Sequence, residues 1–333
     1  MTMTPENLLA SARSESRPVI AMSEGEDPRI VAGALAAWDA GIADIILVGR
    51  AEEVTAQLSA CGRSATDGVA IHDPESSELT QGFAEAFFEL RKHKGVDMER
   101  AEREVRNPLV YAAMLVRQGC AAGTVGGAVA ATPDIVRAAL QVIGKAKDAP
   151  LVSSFFLMFP PNDDGRPMVY ADCGLVIDPS SVEQSAIAAA SCKSCRALLE
   201  TDPKVAFLSF STKGSARHEA VDKVTEAARL FAEQHPEIAS DGEIQFDAAF
   251  VPSIAERKAP DSAVAGEANV MIFPSLDAGN IAYKVSQRLG GYAAIGPILQ
   301  GLKQPANDLS RGCSAEDVTK MIAVTVKQAG NAS

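Results

Sequence analysis

The sequence lacks any apolar run that approaches the ~20 residues of a membrane-spanning helix. Its first 17 residues also lack the apolar centre of a secretory signal peptide. We therefore expect a protein that is neither exported nor embedded in a membrane. Aromatic residues make up only 5% of the 333 residues, so small aliphatic side chains have to fill much of the interior.

Positive charge is also scarce, because the 31 basic residues are outnumbered by 43 acidic ones and the formal net charge is −12. Nucleic acids and anionic membranes both require a basic surface, so the sequence argues against either as a partner. A small anionic ligand remains compatible with this charge if a few arginines and lysines are gathered at its site.

The six cysteines do not form the pattern of a disulfide framework, and we expect a reducing cytoplasm. Cys192 and Cys195 have the C-x-x-C spacing of redox and zinc sites. No second pair and no nearby histidine complete a zinc site, and both cysteines lie in an alanine-rich segment that predicts a helix over 182–199. We therefore interpret them as helix residues and predict no metal site.

Short apolar runs alternate with amphipathic stretches, which is typical of an α/β protein, and the length favours two domains. The pattern predicts strands at 18–25, 44–49, 151–159, 169–172, 204–210 and 270–273, and helices at 27–41, 79–94, 107–119 and 132–143. Residues 124–129 have the small side chains of a turn, and Thr132 with Pro133 has the signals of a helix N-terminus. No G-x-G-x-x-G motif follows the first strand, so a dinucleotide site is not indicated.

Residues 211–215, Ser-Thr-Lys-Gly-Ser, follow a predicted buried strand. Small hydroxyl residues and a glycine allow backbone N–H groups to approach an anion, yet the P-loop pattern is absent. The segment is either an anion-binding loop or an ordinary turn. A second segment, 273–283, places Asp277 and Asn280 after a strand, where they are either ligand-binding residues or turn and capping residues.

Several polar side chains lie close together in a predicted loop that leads into a helix, at residues 307–313, Asn-Asp-Leu-Ser-Arg-Gly-Cys. Ser314 and Asp317 have the spacing of a capping box, with aspartate in place of the usual glutamate. On spacing alone, Asp317 is a helix cap. Arg91 and Arg137, taken as isolated residues, are surface charges on helices.

Taken together, these segments resemble the phosphate acetyltransferase (phosphotransacetylase) family, in its short form. The resemblance runs from about residue 17 to residue 330, and its two most specific motifs are 296–297 and 307–313. The matching stretches occur in the family's order at 89–95, 137–141, 208–216, 241–249, 258–260, 264–266, 272–274, 279–284, 296–297 and 307–313.

The resemblance implies a two-domain α/β fold like that of isocitrate and isopropylmalate dehydrogenases, with an active-site cleft between the domains. It implies a discontinuous first domain, 1–148 plus 301–333, and a second domain, 149–300. It also implies a homodimer and reversible acetyl transfer between acetyl phosphate and coenzyme A. Coenzyme A, acetyl-CoA, acetyl phosphate and inorganic phosphate would be the small-molecule partners, with no permanently bound cofactor.

The resemblance also implies roles for particular residues. Asp317 would take the proton from the coenzyme A thiol, Ser310 would hydrogen-bond the reacting centre, and Arg311 would stabilise the phosphate. The thiolate would attack acetyl phosphate directly in a ternary complex. Coenzyme A would be bound by Arg91, Arg137 and Lys284, and the substrate by Ser211, Thr212, Gly214, Asn280 and Tyr283.

One loop departs from the family pattern. At 126–134 the family usually carries a serine, a histidine and no proline, whereas this chain has Gly126, Ala130 and Pro133. Ala130 and Ala131 would admit a larger acyl group, so phosphate butyryltransferase or another acyl-phosphate/CoA acyltransferase is one alternative. A non-catalytic acyl-CoA sensor is another, although Ser310, Arg311 and Asp317 are all present.

Overall fold

The computed structural model describes residues 2–66, 68–162, 165–264 and 266–331. Ala265 of the matching stretch 264–266, and Met1, Ala332 and Ser333 of the predicted first domain, lie outside these residues. The chain divides into two compact units. We call Glu6–Ala146 with Leu302–Ser333 the composite unit, and Lys147–Gly301 with Met1–Pro5 the central unit.

The described residues form eleven strands and thirteen α-helices. The strands are β1 Val19–Met22, β2 Asp44–Val48, β3 Val69–His72, β4 Gly123–Gly126, β5 Ser153–Phe159, β6 Met168–Ala171, β7 Val205–Leu208, β8 Ser240–Ile244, β9 Val270–Ile272, β10 Ala293–Gln300 and β11 Ala306–Asp308. The helices are α1 Pro5–Ser11, α2 Pro28–Asp39, α3 Ala51–Ala60, α4 Leu79–Arg91, α5 Met98–Val105, α6 Pro108–Arg117, α7 Thr132–Val142, α8 Ser181–Ser194, α9 Glu219–Gln234, α10 Phe246–Phe250, α11 Pro252–Lys258, α12 Leu276–Arg288 and α13 Ala315–Gly330.

The composite unit is built on a five-stranded sheet in the order β11-β4-β1-β2-β3, with every pair parallel. Its strands are short and largely buried, as expected for a parallel sheet covered by helices. The prediction of a turn at 124–129 is wrong for residues 124–126, because Gly123–Gly126 is the strand between β11 and β1, whereas residues 128–129 lie in a bend after that strand. Its small residues are required by close packing: a Cβ at Gly123 would lie 2.5 Å from Thr325 Cγ2 of α13.

The starts of α2 and α6 in the composite unit follow the expected capping chemistry, whereas the start of α7 does not. Asp27 caps α2 and Asn107 caps α6, each ahead of a proline at the first helical position. At α7 the predicted capping role of Thr132 is wrong. Ala131 holds the N-cap position without a side-chain bond, because the Thr132 hydroxyl instead donates to Asp308.

The central unit is built on a six-stranded sheet in the order β10-β5-β6-β9-β7-β8. The pairs β10–β5 and β5–β6 are antiparallel, and the remaining pairs are parallel. The helix predicted over 182–199 is confirmed as α8 followed by a π-helical turn, and it contains both Cys192 and Cys195. The capping reading of Asp277 and Asn280 is wrong, since both lie within α12 and Ser275 is its N-cap.

The two sheets with their covering helices confirm the prediction of an α/β protein. Within the described ranges, none of the helices combines the length and apolar character needed to cross a membrane.

Candidate functional site

The loop between β1 and α2 places a carboxylate against a run of backbone donors. Glu24 lies at the carboxyl end of β1, where parallel α/β sheets bind ligands. Its Oε2 accepts hydrogen bonds from the N–H groups of Gly127 and Ala128, both at 2.7 Å. Its Oε1 accepts from Val129 at 3.1 Å and from Ala130 at 2.6 Å. Four consecutive N–H groups therefore converge on one side chain.

Arg29, the second residue of α2, connects three segments of the composite unit. Its guanidinium forms a bidentate pair with Asp27, and its Nη2 donates to the carbonyl oxygen of Ala128 at 2.8 Å. Its Nη1 donates to the carbonyl oxygens of Arg311 at 2.7 Å and Cys313 at 3.3 Å. The hydrogen bond from Arg29 holds the pKa of Asp27 below its usual range.

The loop between β11 and α13 carries Ser310 and Arg311, and Asp317 follows in the first turn of α13, so the three predicted catalytic residues lie within eight positions of the chain. Ser310 and Arg311 are exposed, and the Ser310 Oγ accepts a hydrogen bond from the N–H of Gly312 at 3.3 Å. Within the described parts of the chain, the Arg311 guanidinium has no hydrogen bond or ion pair. The Arg311 guanidinium, unpaired among the described residues, therefore directly follows the exposed Ser310 hydroxyl in the chain.

Asp317 forms the capping box that its spacing predicts. Its Oδ2 accepts from the N–H and the Oγ of Ser314, both at 2.9 Å, while its own N–H donates to the Ser314 Oγ at 3.2 Å. Among the described residues, Oδ1 of Asp317 has no hydrogen-bond partner. The two oxygens are thus unequal, since one caps α13 and the other is available to a ligand.

A buried carboxyl, Asp308, lies two residues before Ser310. It is fully buried, and its Oδ2 accepts from the hydroxyl of Thr132 at 2.5 Å. Burial raises the pKa of Asp308 to about 7, and the negative charge of Glu24 acts in the same direction. Asp308 therefore joins the start of α7 to the strand that leads into the loop before α13.

A cavity of about 400 Å³ opens beside these segments in the composite unit. Arg137 is the one basic residue in its lining, and it forms an ion pair with Asp134 at 2.7 Å. Apolar side chains and carboxylates make up most of the remaining wall. The lining includes Glu24, Glu26, Asp27, Glu104, Leu109, Val129 and Ala130.

The three predicted coenzyme A-binding residues have different surroundings. Arg91 ends α4, is half-buried and makes no ion pair with any described residue, but it does not line the cavity. Arg137 lines the cavity. Lys284 belongs to the central unit, where its Nζ donates to Asn280 Oδ1 at 2.6 Å and lies over the ring of Tyr283.

The predicted anion loop of the central unit already holds a carboxylate. Glu243 is buried, and its Oε1 accepts from the N–H of Gly214 at 2.6 Å and from the Oγ of Ser211 at 3.0 Å. Thr212 exchanges hydrogen bonds with Gln245. The donors that suggested an anion site in the sequence are thus engaged inside the protein, and a substrate role for Ser211, Thr212 and Gly214 stays a prediction.

The other predicted substrate residues lie on α12. Asn280 donates from Nδ2 to the carbonyl oxygen of Cys173 at 3.1 Å. The ring of Tyr283 stacks on Phe156 with centroids 3.9 Å apart, and burial raises the pKa of Tyr283. Both contacts are structural ones within the central unit, and the predicted substrate role of these residues is not tested by them.

Glu24, Arg29 and Asp308 were not singled out from the sequence. One signal was available for the first two: the charged run 24–29, Glu-Gly-Glu-Asp-Pro-Arg, directly follows an apolar strand. Asp308 lies in the motif 307–313, but the sequence does not reveal its contact with Thr132 of α7. Among the described residues, no cluster of histidine, cysteine or carboxylate side chains has a metal-binding arrangement.

Comparisons with known proteins agree along nearly the whole chain. A family model described as phosphate acetyl/butaryl transferase matches residues 3–326. A phosphate acetyltransferase from Paracoccus denitrificans is 47% identical over 322 residues, which cover 96% of each chain. A solved phosphotransacetylase from Streptococcus pyogenes is 43% identical, has a TM-score of 0.93, and the match covers 99% of this chain and 100% of that one.

A more distant structure confirms the dehydrogenase-like, two-domain α/β fold. A Salmonella typhimurium protein assigned as a 4-hydroxythreonine-4-phosphate dehydrogenase matches with a TM-score of 0.55 over 94% of this chain and 100% of that chain. Its sequence is only 14% identical, so this likeness concerns the fold alone.

Proposed function

We infer that this chain, which belongs to the phosphate acetyl/butaryl transferase family, is a phosphate acetyltransferase that moves an acetyl group reversibly between acetyl-CoA and inorganic phosphate. The observation that carries this inference is the segment 309–317, from the end of β11 to the first turn of α13, which we call the catalytic loop. It presents an exposed serine, a guanidinium and a carboxylate within eight residues, and among the described residues the guanidinium and one carboxylate oxygen have no partner.

In the mechanism that this loop supports, Asp317 acts through Oδ1. A thiol with a pKa near ~8.5 is largely protonated at neutral pH, so a base increases the thiolate fraction. Oδ1 accepts the thiol proton while Oδ2 keeps its hydrogen bonds to Ser314. The capping role and the base role of Asp317 are therefore compatible.

The thiolate sulfur then forms a bond to the carbonyl carbon of acetyl phosphate. The carbon–oxygen bond to phosphate breaks, and phosphate departs with the electron pair of that bond. Arg311 supports this step because its guanidinium stabilises the negative charge on the phosphate oxygens. The Ser310 hydroxyl donates to the carbonyl oxygen, on which negative charge develops.

Coenzyme A brings several phosphates to an acidic protein, so it needs local positive charge. Arg91 supplies a guanidinium that is unpaired among the described residues, and Arg137, which pairs with Asp134, supplies another at the wall of the 400 Å³ cavity. The carboxylates in that wall disfavour phosphate groups inside the cavity. The cavity therefore suits a neutral, amide-bearing chain, with Arg137 and Arg91 contacting the charged part of the cofactor, and the role of Lys284 in binding coenzyme A stays a prediction.

A longer-chain acyltransferase is the second candidate, because Val129 and Ala130 contribute apolar side chains to the wall of the cavity. The serine that the family has at position 126 would require the Ser23 hydroxyl to rotate, since a Cβ at Gly126 would lie 2.0 Å from the Oγ of Ser23. Ser23 thus fills that volume with its own hydroxyl.

One assay tests these alternatives. Purified protein is mixed with coenzyme A and acetyl, propionyl or butyryl phosphate, and thioester formation is followed. We expect acetyl phosphate to give the highest kcat/KM and no burst of acyl-enzyme. A preference for butyryl phosphate would establish the second candidate, and thioester formation with none of the three would leave only acyl-CoA sensing.

The homodimer is proposed to form through α12. Ile281, Val285 and Leu289 recur every four residues along it and are 61%, 50% and 85% exposed. Such a stripe on a helix is typical of a surface that packs on another helix. The cytoplasmic location is likewise proposed, supported by six cysteines that are all free.

A further inference from the structure

The segment 126–131 has no polar side chain with which to fix its own conformation. Its sequence is Gly-Gly-Ala-Val-Ala-Ala, so its conformation depends on the groups that form hydrogen bonds with its backbone. Gly127 has φ +101°, and a Cβ there would lie 2.1 Å from Asp308 Oδ1, so glycine is required. We refer to residues 127–130 as the donor loop, because all four of their N–H groups point to Glu24.

The contact between Glu24 and the donor loop has the geometry of a bound anion. Three of the four hydrogen bonds are 2.6–2.7 Å long, the length expected when the acceptor carries full charge. Successive N–H groups that converge in this way form an anion-binding concavity. An uncharged acceptor with a single oxygen could not satisfy all four donors.

The donor loop is also connected to the catalytic loop. It leads into α7, whose Thr132 donates to Asp308, two residues before Ser310. Arg29 joins the carbonyl oxygen of Ala128 to that of Arg311. A displacement of the donor loop would therefore reach the backbone of Ser310 and Arg311 by two routes.

We propose that Glu24 is a positioning residue for acyl transfer: its charge holds the donor loop, and through it the catalytic loop, in the reactive arrangement. The proposal rests on the acyl-transfer function inferred above. Glu24 exchanges no proton and forms no covalent bond with substrate. Its task is to supply a fixed negative charge to four backbone donors.

The test uses Glu24→Ala with formate, which is a carboxylate small enough to enter the vacated space. We expect kcat to fall about 10²-fold, because small misplacements near reacting groups cost rates of that order. Formate at millimolar concentrations should restore activity about tenfold, since it would bind the four unpaired donors. Formate should not raise the activity of the wild type.

Glu53→Ala is the matched control. Glu53 is a half-exposed glutamate of α3 that pairs with Arg50 and lies outside the cavity lining. We expect this variant to keep the wild-type kcat, and we expect formate to leave that kcat unchanged. Equal losses in both variants would mean that any removal of a glutamate from this unit lowers activity, and would overturn the proposal.

Hydrogen exchange gives a readout that does not depend on activity. The amides of residues 127–130 should exchange slowly in the wild type, faster in Glu24→Ala, and slowly again with formate. Unchanged exchange, a kcat within about twofold of wild type, or a loss of kcat that formate does not relieve would each overturn the proposal. If Glu24→Ala does not fold, Glu24→Gln keeps the side-chain volume and is expected to show faster exchange and lower kcat. A wild type without acyl transfer would refute the proposed function, whereas the exchange data would still test the Glu24 contact.

Discussion

Arg29 holds the backbone of Arg311: its Nη1 donates to the Arg311 carbonyl oxygen at 2.7 Å. The Arg311 guanidinium itself is exposed and unpaired among the described residues. One arginine thus fixes the main chain so that the second can present its charge. This arrangement separates the effect of the Arg311 side chain on chemistry from any effect on folding.

Replacing Arg311 with glutamine should therefore reduce activity without reducing stability. We expect kcat to fall about 10²–10³-fold, since fixed charge at the reacting centre has effects of that size. The melting temperature should stay within about 1 °C, because the lost side chain makes no described contact. Arg103→Gln, which removes an exposed arginine of α5, is the control for both measurements. Near-normal turnover in Arg311→Gln would exclude this residue from the mechanism.

Asp317→Asn tests whether the carboxylate is more than a cap. Asparagine keeps part of the capping box, so we expect a stability loss of about 0.5–2 kcal/mol. If Oδ1 also accepts the thiol proton, kcat should fall steeply at pH 7. It should then recover in part toward pH ~8.5, where thiolate forms unaided.

The measurements are the turnover–pH profile and the melting temperature, with Glu316→Gln as the control. Glu316 is an exposed neighbour that pairs with Lys320. A variant of Asp317 that melts lower and turns over normally would identify the residue as a helix cap alone.

Arg91→Ala should weaken coenzyme A binding. Arg91 carries no ion pair to a described residue, so its removal exposes no unpaired partner inside the protein. We expect the KM for coenzyme A to rise about tenfold or more and kcat to change much less, as for loss of uniform binding. Steady-state kinetics with each substrate varied in turn provides the measurement, with Arg100→Ala as control. A defect confined to acetyl phosphate would contradict this assignment.

Asp308 predicts a pH dependence of stability. Its folded pKa, about 7, is higher than that of an unfolded aspartate, so the folded state binds a proton more tightly. The resulting stabilisation is complete below pH ~4 and is lost as the pH rises through about 7, a change on the order of 4 kcal/mol. Asp308→Asn should not show this loss.

Urea unfolding of both proteins at pH 5, 6, 7 and 8 measures the difference. We expect the free energy of unfolding of wild type to decline relative to Asp308→Asn across this range. Parallel curves would show that Asp308 has an ordinary pKa in the folded protein.

Leu289→Glu tests the proposed α12 interface. A charge in the middle of an apolar contact should shift a dimer toward monomers, while the isolated subunit loses little because this side chain is exposed. Light scattering over a range of protein concentrations provides the measurement. Leu79→Glu, at an exposed leucine of the composite unit, should leave the mass unchanged. An unaltered mass for Leu289→Glu would remove α12 from the interface.

The sequence allowed prediction of elements whose pattern is local. The strand at 44–49 and the helix that begins after Asp27 appear where their apolar period and caps predict them. The capping box of Ser314 and Asp317 is also present as its spacing predicts. In each case the residues that determine the element lie within a few positions of one another.

Where prediction failed, the deciding partner was distant in sequence. Gly123–Gly126 has the composition of a turn, but β11 and α13, nearly 200 residues later, make it a buried strand. The Thr132 hydroxyl does not cap α7 as predicted, because it donates a hydrogen bond to Asp308, 176 positions away. Glu24 was missed because its four donors lie about 100 residues further along the chain.

The discontinuous composite unit also has a consequence for synthesis on the ribosome. β4 needs β11 as its outer neighbour, and α2 packs so closely on α13 that a Cβ at Gly33 would lie 2.4 Å from the Ala315 carbonyl oxygen. Until residues 302–331 emerge, the nascent chain exposes an unpaired edge of β4 and an uncovered face of α2, both of which favour aggregation. Residues 147–301 of the central unit are translated within that interval, so a chaperone that shields β4 would have to remain bound while the roughly 180 residues between β4 and β11 are made.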